Sequence, residues 1–166
     1  MPLAPLDLAA SFILALVLHE LAHLVAARAF RIPVTEIGFG WGPKLFGRRL
    51  VDREYTIRAF PLGAYVRMDM SSFQQRPLTQ QLIVLLAGIF LNLGLGILCW
   101  GTFFSSVNLA LAFANLMPIY QQDGWKSGLL ICRRLFGRPV PLVEWSFTIA
   151  GGLFALLLIV LTVSLF

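Results

Sequence analysis

Apolar residues run almost without interruption from Leu8 to Phe30, from Leu82 to Phe104 and from Leu142 to Phe166. A fourth apolar run, Val107 to Phe136, is broken at Pro118 and at Gln121-Gln122-Asp123-Gly124. A helix of about 20 residues crosses a hydrocarbon core of roughly 30 Å, so each run is long enough to span a bilayer. Within the broken run, Val107–Leu116 reads as helix, and Pro118 cannot continue it without losing a backbone hydrogen bond. Gln121–Gly124 then reads as unwound, with a second short helix from Trp125 to Phe136. Broken helices at membrane depth line binding sites.

Residues 31–77 follow a different pattern. β-Branched and aromatic residues alternate with others between Gly and Pro, which predicts two short hairpin-like strand pairs. Gly47-Arg48-Arg49 and Val51-Asp52-Arg53 suit a polar turn between them. The aromatic content predicts that part of this sheet dips into the membrane, where its backbone must be buried in protein or line a wet cavity. The expected fold is an all-α polytopic membrane protein with a small membrane-associated β insert. One domain, residues 1–166, holds four transmembrane helices (8–30, 82–104, a broken 107–136 and 142–166) and the β loop 31–77.

Composition supports a membrane protein. Of the 166 residues, 58% are hydrophobic and 13% charged, against about 25% charged in soluble domains. Asp7 is the only charge before His19, so the N-terminus lacks the basic start of a secretory signal peptide. Nine of the thirteen Lys and Arg lie between Arg28 and Arg76, and the others are Lys126, Arg133, Arg134 and Arg138. Four spans put both basic segments, 31–77 and 126–141, on one side. The positive-inside rule makes that side cytoplasmic and places both termini outside, in a bacterial-type inner membrane. The net charge of +5 is therefore a topology signal, and nucleic acid is not an expected partner. Cys99 and Cys132 lie in different runs without C-x-x-C spacing, and read as buried small hydrophobes.

Ionisable groups inside an apolar run are costly and are functional candidates by default. The first run contains His19-Glu20-Leu21-Ala22-His23. On a helix His19 and His23 share a face and can hold one metal ion, with Glu20 beside them as general base. A catalytic zinc takes three protein ligands and a water. The chain has two histidines, so the third ligand is a carboxylate or, less readily, a cysteine. Asp7, Glu36, Asp52, Glu54 and Asp69 fall in terminal or loop segments, and Glu144 falls near the start of the last run. Asp123 remains, in the helix break, as a zinc ligand or as an N-cap for the helix from Trp125. Asn92 and Asn115 are candidates to hold a substrate carbonyl or an oxyanion, or else to join helices.

These motifs together resemble the site-2 protease family of intramembrane zinc metalloproteases. The resemblance rests on His19-Glu20-Leu21-Ala22-His23, on Gly88-Ile-Phe-Leu-Asn92 as G-x-x-x-N, and on Asn115-Leu-Met-Pro118-Ile-Tyr-Gln-Gln-Asp123-Gly124 as N-x-x-P-x-x-x-x-D-G. Gly38–Met68 looks like the family's membrane-associated β loop. Ile89 and Gln122 stand where the family commonly has Pro and Leu. Ser105-Ser106 leaves no room for the PDZ domain that many bacterial relatives carry between core spans.

The resemblance implies a minimal enzyme, with zinc held by His19, His23 and Asp123. It would cleave single-pass membrane proteins within the bilayer, as regulated proteolysis or clearance of signal-peptide remnants. An unwound substrate strand would add to the sheet at Gly38, Phe39 and Gly40. A catalytically silent scaffold of this fold and a metal transporter are the competing readings. The latter is disfavoured because no internal inverted repeat is evident.

Overall fold

The computed structural model describes residues 5–137 and 141–164. Its elements are α1 (Pro5–Ala29), β1 (Val34–Leu50), β2 (Arg53–Met68), α2 (Met70–Gln74), α3 (Leu78–Leu98), α4 (Phe103–Leu116), α5 (Asp123–Phe136) and α6 (Pro141–Ser164). The chain is mostly helical and divides into two compact units, Met1–Ala112 and Phe113–Phe166.

In the first unit, Ala9–Ala29 and Leu78–Leu98 are long and apolar enough to cross a membrane. Their burial pattern is inside out. α3 buries Gln81, Val84, Gly88, Ile89, Asn92 and Gly96, and exposes Ile83, Phe90, Leu93, Ile97 and Leu98. α1 buries Ala15, His19 and His23, and exposes Phe12, Val17, Leu21 and Val25. An interior rich in small and polar residues, with most large apolar residues outside, suits a lipid surround, where close backbone approach takes the place of a hydrophobic drive. Leu24, Ala27, Ile32, Val34, Phe73 and Val84 close the small apolar core beneath this pair.

The β insert differs from the expected short hairpins. β1 and β2 are two long antiparallel strands joined at Val51-Asp52. Gly47-Arg48-Arg49 stay in β1 rather than turning. Val51 takes the left-handed conformation at φ 56°, which lets the turn close in two residues. Both strands bend, so each pairs twice. Val34–Phe39 faces Ala64–Met68 on one side, and Glu36–Phe39 faces Glu54–Ile57 on the other. Gly40 and Gly42, at φ 92° and 88°, make the bend in β1. Gly38 and Phe39 therefore lie inside the sheet with partners on both flanks, Tyr65 and Thr56 for Gly38, Ala64 and Ile57 for Phe39. A Cβ on Gly40 would stand 2.6 Å from the Phe60 carbonyl oxygen. Gly38 and Phe39 thus already carry a strand partner on each flank.

The second apolar run is also redrawn. α3 begins four residues earlier than expected, at Leu78, and ends at Leu98. Gly101 turns the chain at φ 84°, and Phe103 and Phe104 already belong to α4. Ser105 Oγ donates to the Gly96 carbonyl at 2.6 Å, fastening the two helices. The short helix α2 follows the sheet, where the sequence pattern predicts no helix. Asp69 caps it, accepting from the Ser72 N–H at 2.9 Å.

In the second unit the predicted break is present between Leu116 and Asp123. α5 starts at Asp123 rather than Trp125, and Gln122 occupies the N-cap position. α5 packs on α6, with the Phe147 ring over Gly128. Arg133 donates to both Glu144 carboxylate oxygens at 2.6 and 2.8 Å. Residues 138–140 of the predicted loop, and Leu165 and Phe166 of the last predicted run, lie outside the described residues.

Candidate metal centre

α1 carries His19 and His23 one turn apart, and both imidazoles are buried, at 4% and 6% exposure. Their Nε2 atoms approach to 3.2 Å. Two nitrogens bound to a tetrahedral zinc at 2.0–2.1 Å would lie about 3.3 Å apart, so the pair fits such an ion. The other face of His23 is fixed by α3. Its Nδ1 lies 2.7 Å from the Val84 carbonyl oxygen. A carbonyl only accepts, so Nδ1 carries the proton and Nε2 keeps its lone pair for a metal.

α3 also shapes the place of His19. A Cβ at Gly88 would stand 2.4 Å from His19 Cε1 and 2.6 Å from both ring nitrogens. Glycine at 88 is thus the space in which the His19 ring sits. Asn92, one turn further along α3, is completely buried, and neither amide atom has a hydrogen-bond partner among the described residues.

Glu20 points to the sheet. Its Oε2 accepts the backbone N–H of Val66 in β2 at 3.0 Å. Beside it, between α1 and the sheet, lies a cavity of about 400 Å³. Val17, Leu21, Leu24, Ile37, Phe39 and Val66 give it apolar walls, and Glu20 is the carboxylate on its lining.

Sequence reasoning missed Glu36. It is 5% exposed, although its place in the 31–77 segment reads as a loop. Tyr65 and Thr56 donate their hydroxyls to its Oε1 at 2.5 and 2.9 Å. Arg67 lies 2.9 Å from its Oε2, and Arg58 3.7 Å from Oε1. Burial by itself raises the Glu36 pKa. The hydrogen bonds from Tyr65 and Thr56, with the charges of Arg67 and Arg58, outweigh it and hold the group below its ordinary value. The two-residue period of a strand, which puts Glu36 on the face of buried Val34, was the available signal.

In the second unit, Asp123 opens α5 and is buried. Lys126 Nζ lies 3.4 Å from its Oδ1. Gly124 follows because α5 starts hard against the end of α4: a Cβ there would meet the Leu116 carbonyl oxygen at 2.1 Å. Asn115 sits at the penultimate position of α4 and is half-buried.

Known proteins similar to this chain carry zinc-protease names. Relatives named "putative zinc metalloprotease" include one from Fusobacterium nucleatum, 37% identical over 82 residues, covering 45% of this chain and 24% of the relative. One from Nostoc is 38% identical over 100 residues, covering 52% and 28%. One from Chlamydia trachomatis is 30% identical over 131 residues, covering 66% and 20%. The chain thus matches about a quarter of the length of these relatives or less. A family model, peptidase family M50, matches residues 8–106. That range takes in the paired histidines, Glu20, the sheet and α3 and stops short of Asp123. Covering more than half of the chain, it establishes that this protein belongs to peptidase family M50, the family of the site-2 proteases.

Proposed function

We propose that the chain is an intramembrane zinc endopeptidase that cleaves the membrane segments of single-pass proteins. The observation that carries this reading is the pair of buried imidazoles converging at 3.2 Å, beside a carboxylate that lines an apolar cavity. His19, His23 and Asp123 would hold the zinc, as the two imidazoles and one carboxylate of a catalytic set. Bound zinc would supply Lewis-acid activation of a water at neutral pH.

The remaining steps belong to the chain's own side chains. Glu20 takes a proton from the attacking water and returns it to the leaving amide nitrogen. Asn92 and Asn115 stabilise the developing oxyanion. The cavity beside Glu20 receives an apolar side chain of an unwound substrate and keeps bulk water from it. Residues 31–77 and 126–141 face the cytoplasm, with both termini outside, in a bacterial-type inner membrane. The bilayer holds enzyme and substrate at one depth.

The test uses the detergent-purified chain with a doubly tagged single-span reporter. The chain should bind about one zinc and cut the reporter. Glu20→Gln should keep the zinc and lose cleavage, and Asp123→Ala should lose the zinc. Cleavage by Glu20→Gln would remove Glu20 as the base. Full zinc occupancy in Asp123→Ala would remove Asp123 from the ligand set.

A further inference from the structure

The buried cluster around Glu36 has a use that the metal centre does not explain. A carboxylate taken out of water is costly, and an apolar side chain of similar size often serves stability as well. What this carboxylate holds is therefore informative. Tyr65 and Arg67 both end on it, at 2.5 and 2.9 Å. In a strand these two side chains share a face, and Val66 between them is turned the other way. Val66 is the residue whose N–H reaches Glu20 Oε2 at 3.0 Å. Residues 65 and 67 are thus tied to Glu36, and the peptide between them is tied to Glu20.

The rest of the cluster tightens the same strand. Arg58 Nε donates to the Tyr65 oxygen at 2.9 Å, and Arg58 Nη1 donates to the Gly42 carbonyl at 2.9 Å. The Tyr65 ring occupies the space above Gly38, where a Cβ would come within 2.2 Å of it.

We propose that Glu36 is a positioning residue for Glu20: by clamping Tyr65 and Arg67 it aims the Val66 N–H at the Glu20 carboxylate and fixes the orientation in which that carboxylate meets the substrate. The proposal rests on the reading of Glu20 as general base. Glu36 is held by Tyr65, Thr56, Arg58 and Arg67 and acts on Glu20 through the strand.

The test compares the 166-residue chain in detergent with Glu36→Ala, Glu36→Gln and Tyr65→Phe. It reads hydrogen exchange at the Val66 amide, zinc per chain, and kcat and KM on the single-span reporter. In Glu36→Ala, exchange at Val66 should rise about ten-fold or more and kcat should fall by a similar factor, the scale of one hydrogen bond to a charged group. KM and zinc content should stay within about two-fold. Glu36→Gln keeps an acceptor for Tyr65 and Thr56 but sets an amide donor against the donor-only Arg67, so its exchange rate and kcat should fall between those of Glu36→Ala and the parent. Unchanged exchange at Val66 in Glu36→Ala overturns the proposal, as does a rise in KM with kcat intact, or a loss of zinc. Should Glu36→Ala fail to fold, Tyr65→Phe decides by the same readouts. If the wild-type chain leaves the reporter uncut, the protease reading fails, and the exchange arm still decides whether Glu36 sets the Val66–Glu20 contact.

Discussion

Gly88→Ala is the sharpest test of how the two long helices make the metal centre. The added methyl would stand 2.4–2.6 Å from three atoms of the His19 ring. Ordinary contact needs more than 3.4 Å, so the ring must retreat by about 1 Å. It cannot do so by letting α1 drift from α3 without stretching the 2.7 Å contact between His23 and the Val84 carbonyl. Overpacking of this kind costs about 1–3 kcal/mol, and displacing a metal ligand through its supporting contacts lowers affinity about 10- to 100-fold. The two scales agree, since 1.4 kcal/mol is about a factor of ten. Competition with a chromophoric chelator would measure zinc affinity, and thermal unfolding of the metal-free protein would report the packing cost. Gly94→Ala is the control: nothing lies within 4 Å of its added methyl, so zinc affinity should hold and helix propensity should improve slightly. Zinc affinity in Gly88→Ala within two-fold of the parent, with metal-free stability also unchanged, would refute the close packing of His19 on α3.

Two further outcomes follow from the loop and the helix break. Gly124→Ala sets a methyl 2.1 Å from the Leu116 carbonyl oxygen and 3.0 Å from that of Asn115. Backbone cannot swing aside, so the loss of stability should reach or exceed the upper end of about 1–3 kcal/mol; a melting curve in detergent that matches the parent would sink this. Hydrogen bonds to Asp69, led by those from Ser72 and Ser71, hold its pKa down at about 2 against an ordinary 3.8. A depressed carboxylate stabilises the fold fully above its ordinary value and loses that contribution as pH falls toward the folded one. Amide protection of α2 should therefore fade between about pH 4 and pH 2, and Asp69→Ala should remove both the protection and its pH dependence. Protection that is flat across that window would rule out Asp69 as the cap.

The metal motif was legible in the sequence because its chemistry is local. Two histidines four residues apart share a helix face wherever that helix sits, and a bilayer demands long apolar runs that any reader can count. The break at Pro118 was legible for the same reason, being a property of one residue's missing N–H. Asp123 emerged by elimination among eight acidic residues, and its place at the start of α5, not in an unwound stretch, came only from the structure. The end of α3 was invisible. Residues on both sides of the Gly101 turn are apolar and equally at home in lipid, so hydropathy does not mark the bend.

Other features depend on residues far apart in the chain, and only tertiary structure could decide them. The Val84 carbonyl sets the tautomer of His23 across 61 positions. The Val66 N–H reaches Glu20 across 46. The bends in β1 and β2 give Gly38 and Phe39 partners on both flanks. Glu36 looked like a loop carboxylate until folding gathered Tyr65, Thr56, Arg58 and Arg67 around it. Sequence fixes which groups can do chemistry. The long-range pairings fix which of them are held still, because a hydrogen bond across tens of residues exists only once the chain has folded to make it.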